Sequence, residues 1–182
     1  MDDEILEKAR SGWHNRGDKR PDFALTPTAE QESVWDYPRP PALVVDNRHV
    51  QVKIGDALIA DTHEAVRVLE TASPPTFYIP PQAVNMDLLS ASSEHSFCEW
   101  KGHAAYYHCQ IAGQLYENVA WYYPETYDEM NKIKNYLAFY PSRVECYVDG
   151  ERVRSQLGGF YGGWVTDEII GPYKGEPGSS AW

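Results

Sequence analysis

"CEWKGHAAYYHCQIAGQLYENVAWYY", Cys98–Tyr123, is the stretch whose reading decides the fold. Two runs rich in β-formers, "CEWKGHAAYYHCQ" and "LYENVAWYY", flank the short connection "IAGQ", which predicts an antiparallel hairpin. On an unbroken first strand, Trp100, Gly102, Ala104, Tyr106 and His108 share one face, and Lys101, His103, Ala105, Tyr107 and Cys109 share the other. On the return strand Leu115, Val119, Trp121 and Tyr123 point together. Small Gly102 and Ala104 near Val119 and Trp121 leave either a filled indole slot or a hollow walled by rings.

Outward from this hairpin the pattern repeats. "HVQVKIGDALIAD" alternates Val50, Val52 and Ile54, turns at Gly55-Asp56 and resumes with Leu58 and Ile59, and "VECYVDGERV" does the same around Asp149-Gly150. "THEAVRVLET" reads as a further strand, because its neighbours are strands. Helix is scarce. "PETYDEMNKIKN" is the best candidate, with Thr126 and Glu129 at capping-box spacing and Tyr127, Met130 and Ile133 along one side. "PPQAVNMDLL" predicts one short helix with proline in its first turn. The fold expected is all-β, mainly antiparallel, with one or two short helices and long irregular termini.

Three segments are expected. Residues 1–31 form a peripheral arm, with a short helix in "DDEILEKAR" (Ile5, Leu6 and Ala9 on one side) and Trp13 and Phe23 as anchors. Residues 32–155 form the β domain, which Pro38, Pro40 and Pro41 lead into along an extended path. Residues 156–182 mix glycine with aromatics and read as a covering wrap. Gly158-Gly159 and Gly162-Gly163 serve as bends, because no GxGxxG fingerprint joins a strand to a helix.

The bulk chemistry narrows the partners. A net charge of −11 disfavours phosphate backbones, and "GDKR" at Gly17–Arg20 is too short a basic run to reverse that, so no nucleic-acid partner is expected. "MDDEILEKAR" does not read as a secretory signal, and no stretch approaches ~20 apolar residues, so no membrane partner is expected either. Three cysteines without CxxC spacing fit reduced thiols in the cytoplasm. Homo-oligomerisation is left open.

The residues that could carry chemistry centre on the opening stretch. His103 and Cys109 can share a strand face but lie about 20 Å apart at ~3.3 Å per residue, so no metal site and no cofactor are expected. Cys98 and Lys101 fall on opposite faces of a regular strand, and converge only if Glu99–Gly102 contains a bend, which Gly102 permits. An ammonium beside a thiol raises its reactivity, making Cys98 the candidate nucleophile and Lys101 its activator; the alternative is an unreactive, structural Cys98. Glu70, between an apolar strand and the rigid "ASPPTFYIPP", reads as an anchor or ligand contact, with Arg67 as its nearby partner. Tyr78, Tyr106, Trp121 and Tyr123 would wall an aromatic pocket, with Glu70 and Lys101 as its polar points.

At "VLETASPPTFYIPP", "CEWKGHAAYY" and "NVAWYYPETYDEMNKIKNYLAFYPSRVECYVDGERV" the chain resembles domain-of-unknown-function family 427, from about Val34 to Gly175. The resemblance implies a small all-β domain with tent-like antiparallel sheets. Similar tents often hold zinc on two CxxC knuckles, and this chain has neither pair. The family carries a label suggesting nucleotidyl transfer, but the Asp-x-Asp pair and glycine-serine turn of such enzymes are missing here. Three uses are therefore expected: binding a small, partly apolar ligand in an aromatic-lined cavity, enzymatic use of Cys98, or an interaction role for the acidic arm and aromatic wrap.

Overall fold

The computed structural model describes residues 3–179 and Trp182. Helix α1 (Asp3–Ser11) precedes fifteen strands in the described residues. These are β1 (Glu32–Ser33), β2 (Ala42–Asp46), β3 (Val50–Ile54), β4 (Ala57–Thr62), β5 (Ala65–Leu69), β6 (Thr76–Ile79), β7 (Leu89–Cys98) and β8 (Gly102–Ile111). There follow β9 (Gln114–Tyr122), β10 (Leu137–Phe139), β11 (Glu145–Val148), β12 (Glu151–Arg152), β13 (Arg154–Ser155), β14 (Trp164–Val165) and β15 (Ile169–Ile170). A seven-stranded antiparallel sheet has the order β2-β5-β6-β10-β9-β8-β7, and a four-stranded one the order β12-β11-β3-β4. The expected all-β architecture is present, and "THEAVRVLET" supplies strand β5. Among the described residues no helix is long and apolar enough to cross a membrane.

Alternation along the strands buries both faces of the large sheet. Phe77 and Ile79 of β6, with Leu137 and Phe139 of β10, meet Val50, Val52, Ile59 and Cys146 from the small sheet. Tyr78 and Ala138, between those positions, face the other way and pack with Val66, Trp121, Tyr123, Met130 and Ile133. The second face carries the cavity described below.

Several local expectations are corrected. The first strand of the opening hairpin is broken: β7 ends at Cys98, Glu99–Lys101 form a turn, and β8 starts at Gly102. Trp100 and Lys101 therefore belong to a turn and not to alternating strand faces. "PETYDEMNKIKN" makes a 3-10 helix over Asp128–Ile133 with no side-chain cap: its N-cap is Tyr127 and not Thr126, whose hydroxyl donates to Asn131. "PPQAVNMDLL" splits into two 3-10 turns, Pro81–Ala83 and Met86–Leu88. Helix α1 forms, but Ile5 and Ala9 are exposed. Its anchor is polar: Arg10 Nε donates to the Glu99 carbonyl at 2.8 Å, and its guanidinium lies 4.6 Å from the Tyr127 ring centre.

An ion network ties the edge of the large sheet to both ends of the domain. Asp46 sits 2.7 Å from Arg48 and 3.1 Å from Arg67, Arg48 continues to Glu168 at 2.6 Å, and Arg67 to Glu32 at 3.1 Å. Burial works to raise the Asp46 pKa, but the hydrogen bonds and charge of Arg48, helped by Arg67, outweigh it and hold it below its ordinary 3.8. A depressed carboxyl pKa stabilises the fold above the unfolded-state value, and that contribution is lost as pH falls through the folded-state value. Asp46→Asn is expected to cost about 3 kcal/mol at neutral pH. Urea melts at pH 7 and pH 2 should show the gap between variant and wild type narrowing in acid.

Candidate functional site

A single row of paired residues crosses the second face of the large sheet: Val66 opposite Tyr78, Tyr78 opposite Ala138, Ala138 opposite Trp121, Trp121 opposite Tyr106. Ala138 is the small member of this row. It lets the Trp121 Nε1–H reach across and donate to the Tyr78 hydroxyl at 3.2 Å, with the two rings nearly perpendicular at 83°. Tyr106 ends the row, its hydroxyl 2.7 Å from Ser96 Oγ on the neighbouring strand. Above this floor lies a cavity of about 260 Å³.

Glu70, Tyr78, Cys98, Lys101, Tyr106, Trp121 and Tyr123 all line that one cavity. The source of its space is a correction. A Cβ on Gly102 would stand 3.0 Å from the Glu125 carbonyl, so its room is taken by backbone. That glycine is required by its positive φ of 107° at the exit of the turn. Ala104 is buried against Trp121 and Tyr123 and does not line the cavity. The hollow instead lies between the ends of β5, β6 and β7, beneath the C-terminal segment.

The turn at Glu99–Lys101 performs the convergence that a straight strand forbids. Cys98 pairs with Gly102 across it, and the Lys101 N–H donates to the Cys98 carbonyl at 3.3 Å. The Lys101 side chain is largely buried and its Nζ lies 3.6 Å from Glu70 Oε2. Burial works to lower the Lys101 pKa, but the Cys98 sulfur, the Glu70 carboxylate and the Tyr78 oxygen outweigh it and push it up, so the amine stays charged. Tyr78 is pushed up to about 12, chiefly by burial, and keeps its proton at neutral pH.

Glu70 is not served by Arg67, which turns to Glu32 and Asp46. Its second partner is Arg39, fully buried and 3.3 Å away. Arg39 also supports the roof: its guanidinium lies 4.3 Å from the Trp13 ring centre, and Lys174 Nζ lies 3.6 Å from the same ring. The Trp13 Nε1–H donates to Glu99 at 2.7 Å. Burial and then the charge of Arg39 lower the Lys174 pKa. Trp13 and Lys174 line the cavity, and sequence reasoning missed both as site residues, along with Arg39 and Gln156.

The histidines of the opening stretch lie outside this group. His103 packs beside Phe97, with ring centres 5.0 Å apart, and His108 Nδ1 accepts from the Asn118 N–H at 3.0 Å. Cys109 and Cys146 are fully buried, whereas Cys98 is partly exposed; all three are free thiols.

The glycine pairs of the C-terminal segment divide by role. Gly158 and Gly159 bend the chain at φ of 94° and 57°. Gly162 and Gly163 have ordinary φ and are small for contact, which corrects their reading as bends. A Cβ on Gly162 would collide with the Trp121 indole, and one on Gly163 with the Gln156 side chain and Pro74. Gln156 holds this segment by accepting from the Gly163 N–H at 3.1 Å and donating to the Lys174 carbonyl at 2.6 Å. Gly162→Ala is expected to lift the segment from Trp121 at a cost of about 1–3 kcal/mol. The check is a lower melting temperature together with a red-shifted tryptophan emission.

The family model for the domain of unknown function DUF427 matches residues 42–150. That span is narrower than the resemblance read from about Val34 to Gly175. It holds the floor of the cavity and the Glu70–Lys101 pair, while Trp13, Arg39, Gln156 and Lys174 lie outside it. No curated protein matches the chain. With the matched span covering more than half its length, the chain belongs to the DUF427 family.

Proposed function

We propose that this protein binds a small, partly apolar molecule in the cavity above Tyr78, Trp121 and Tyr106. The observation that carries the proposal is the division of the cavity into an aromatic floor and a charged end. Pockets of that composition take up apolar surface and fix orientation through a few polar groups. An apolar hollow of roughly 150 Å³ accepts benzene, so about 260 Å³ suits one ring bearing a short polar chain. The ring would lie on Trp121 and Tyr123. The polar end would meet Lys101, Glu70 and Lys174, whose ammonium has no carboxylate within ion-pair distance among the described residues. We place the protein in the cytoplasm, on its free thiols, and assign it no metal, nucleic-acid or membrane partner.

Native mass spectrometry of the purified protein, followed by a thermal-shift screen of small aromatic acids, amides and esters, tests this. A bound molecule or a saturable rise in melting temperature is expected. Trp121→Ala should weaken binding tenfold or more, which is about 1.4 kcal/mol or greater. A preparation free of any molecule, with no screened compound raising the melting temperature, would remove the proposal.

A further inference from the structure

We infer that Cys98 is an acyl-accepting nucleophile, and that the cavity takes a small carbonyl compound with a leaving group: an ester, thioester or amide of an aromatic or apolar acid. The inference rests on the cavity being a ligand site and adds the chemistry performed there. Of the three thiols only Cys98 lines the cavity; burial pushes the Cys109 and Cys146 thiols up and packs them into the core.

The group around Cys98 is fixed from several directions. The turn that brings Lys101 back beside Cys98 is closed by the Cys98–Gly102 pair and anchored by buried Trp100. Arg39 holds Glu70, and Glu70 holds Lys101. A positive charge is thereby stationed where negative charge develops during attack by sulfur. Tyr78 contributes a second donor. Its oxygen accepts from the Trp121 Nε1–H at 3.2 Å, and the tyrosine lines the cavity with its own proton retained.

The chemistry balances with water as the co-reactant. The sulfur of Cys98 adds to the carbonyl carbon, forming the S–C bond while the C=O π pair moves to oxygen. The Lys101 ammonium and Tyr78 hydroxyl stabilise that oxyanion. On collapse the bond to the leaving group breaks, and the leaving group departs with the proton given up by the thiol. Water then adds to the thioester, the C–S bond breaks, and a carboxylic acid and the Cys98 thiol are released.

The test uses the full chain with 4-nitrophenyl acetate and 4-nitrophenyl benzoate. A burst of one nitrophenolate per chain is expected, with the acyl group mapped by peptide mass spectrometry to Cys98. Cys98→Ser should abolish the burst, and Lys101→Met should slow it at least tenfold. Lys101→Arg, which keeps the charge if removal of the buried ammonium loosens the fold, should restore part of the rate. Acylation confined to lysines, or no burst from a chain whose melting temperature the esters still raise, would overturn this inference and leave ligand binding standing. Esters and related aromatic compounds that neither acylate nor stabilise the chain would bring down both.

Discussion

Trp164→Ala is expected to destabilise the protein by about 3–5 kcal/mol, through both the lost indole and the void it leaves. Trp164 is fully buried, stacks on Phe77 with ring centres 4.8 Å apart, and donates its Nε1–H to the Phe139 carbonyl at 3.0 Å. It thus fastens the segment that roofs the cavity to the core between the two sheets. For a chain of this size the loss corresponds to a fall in melting temperature of roughly 6–20 °C. Trp164→Phe keeps most of the packing and forfeits the hydrogen bond, so its cost should be nearer 1 kcal/mol. Thermal and urea melts of the two variants check the ordering; equal effects would mean that the hydrogen bond, and not the buried volume, dominates.

Arg39→Met should cost a comparable amount, about 3–5 kcal/mol, because it leaves Glu70 short of a partner beneath the roof. Arg39 also donates to the Thr71 carbonyl at 2.8 Å and the Asn15 carbonyl at 3.2 Å, and both would be stranded. Lysine cannot fork to three acceptors, so Arg39→Lys should recover little. The variant should also loosen Trp13, whose ring meets both Arg39 and Lys174. Faster amide hydrogen exchange over residues 10–16, alongside the lower melting temperature, is the expected signature. Unchanged exchange would show that the Glu99 contacts alone hold the arm.

What the sequence reveals and what it hides follow from how far apart the interacting residues lie. Tight turns are local and therefore legible: Gly55, Asp149 and Gly150 have the positive φ of 56°, 48° and 83° that the two-residue hairpins demand. Period-two alternation likewise placed Tyr106 and Trp121 on one surface, and Gly102 permitted the bend that Cys98 and Lys101 need in order to converge. The β5 strand was legible only from the strands around it, and Glu70 stands just beyond its end. Arg39 was not. It stands in "YPRPP", which reads as an extended entry, and it meets Glu70 only through long-range folding. Trp13 and Lys174 come from opposite ends of the chain with no periodicity to join them. The helix expected in "PETYDEMNKIKN" is a 3-10 helix over Asp128–Ile133 whose N-cap is Tyr127 and not Thr126, and the Thr126 hydroxyl meets Asn131.

Gly102 and Ala104 do not make the hollow, and its setting shows why pairing register matters. Ala138, on the strand that follows the hairpin, supplies the gap through which Trp121 reaches Tyr78. Gly162 lets the roof lie against the same indole. Segments outside the 42–150 family span thus complete a cavity whose floor lies within it.

A crystal structure of the purified protein is the most direct measurement. The account predicts an open space between the Trp121 and Tyr123 rings and the Glu70–Lys101 pair, holding a small molecule or ordered solvent. Side chains of the chain itself, such as Phe160 or Tyr161, packed into that space so that nothing else fits would contradict it.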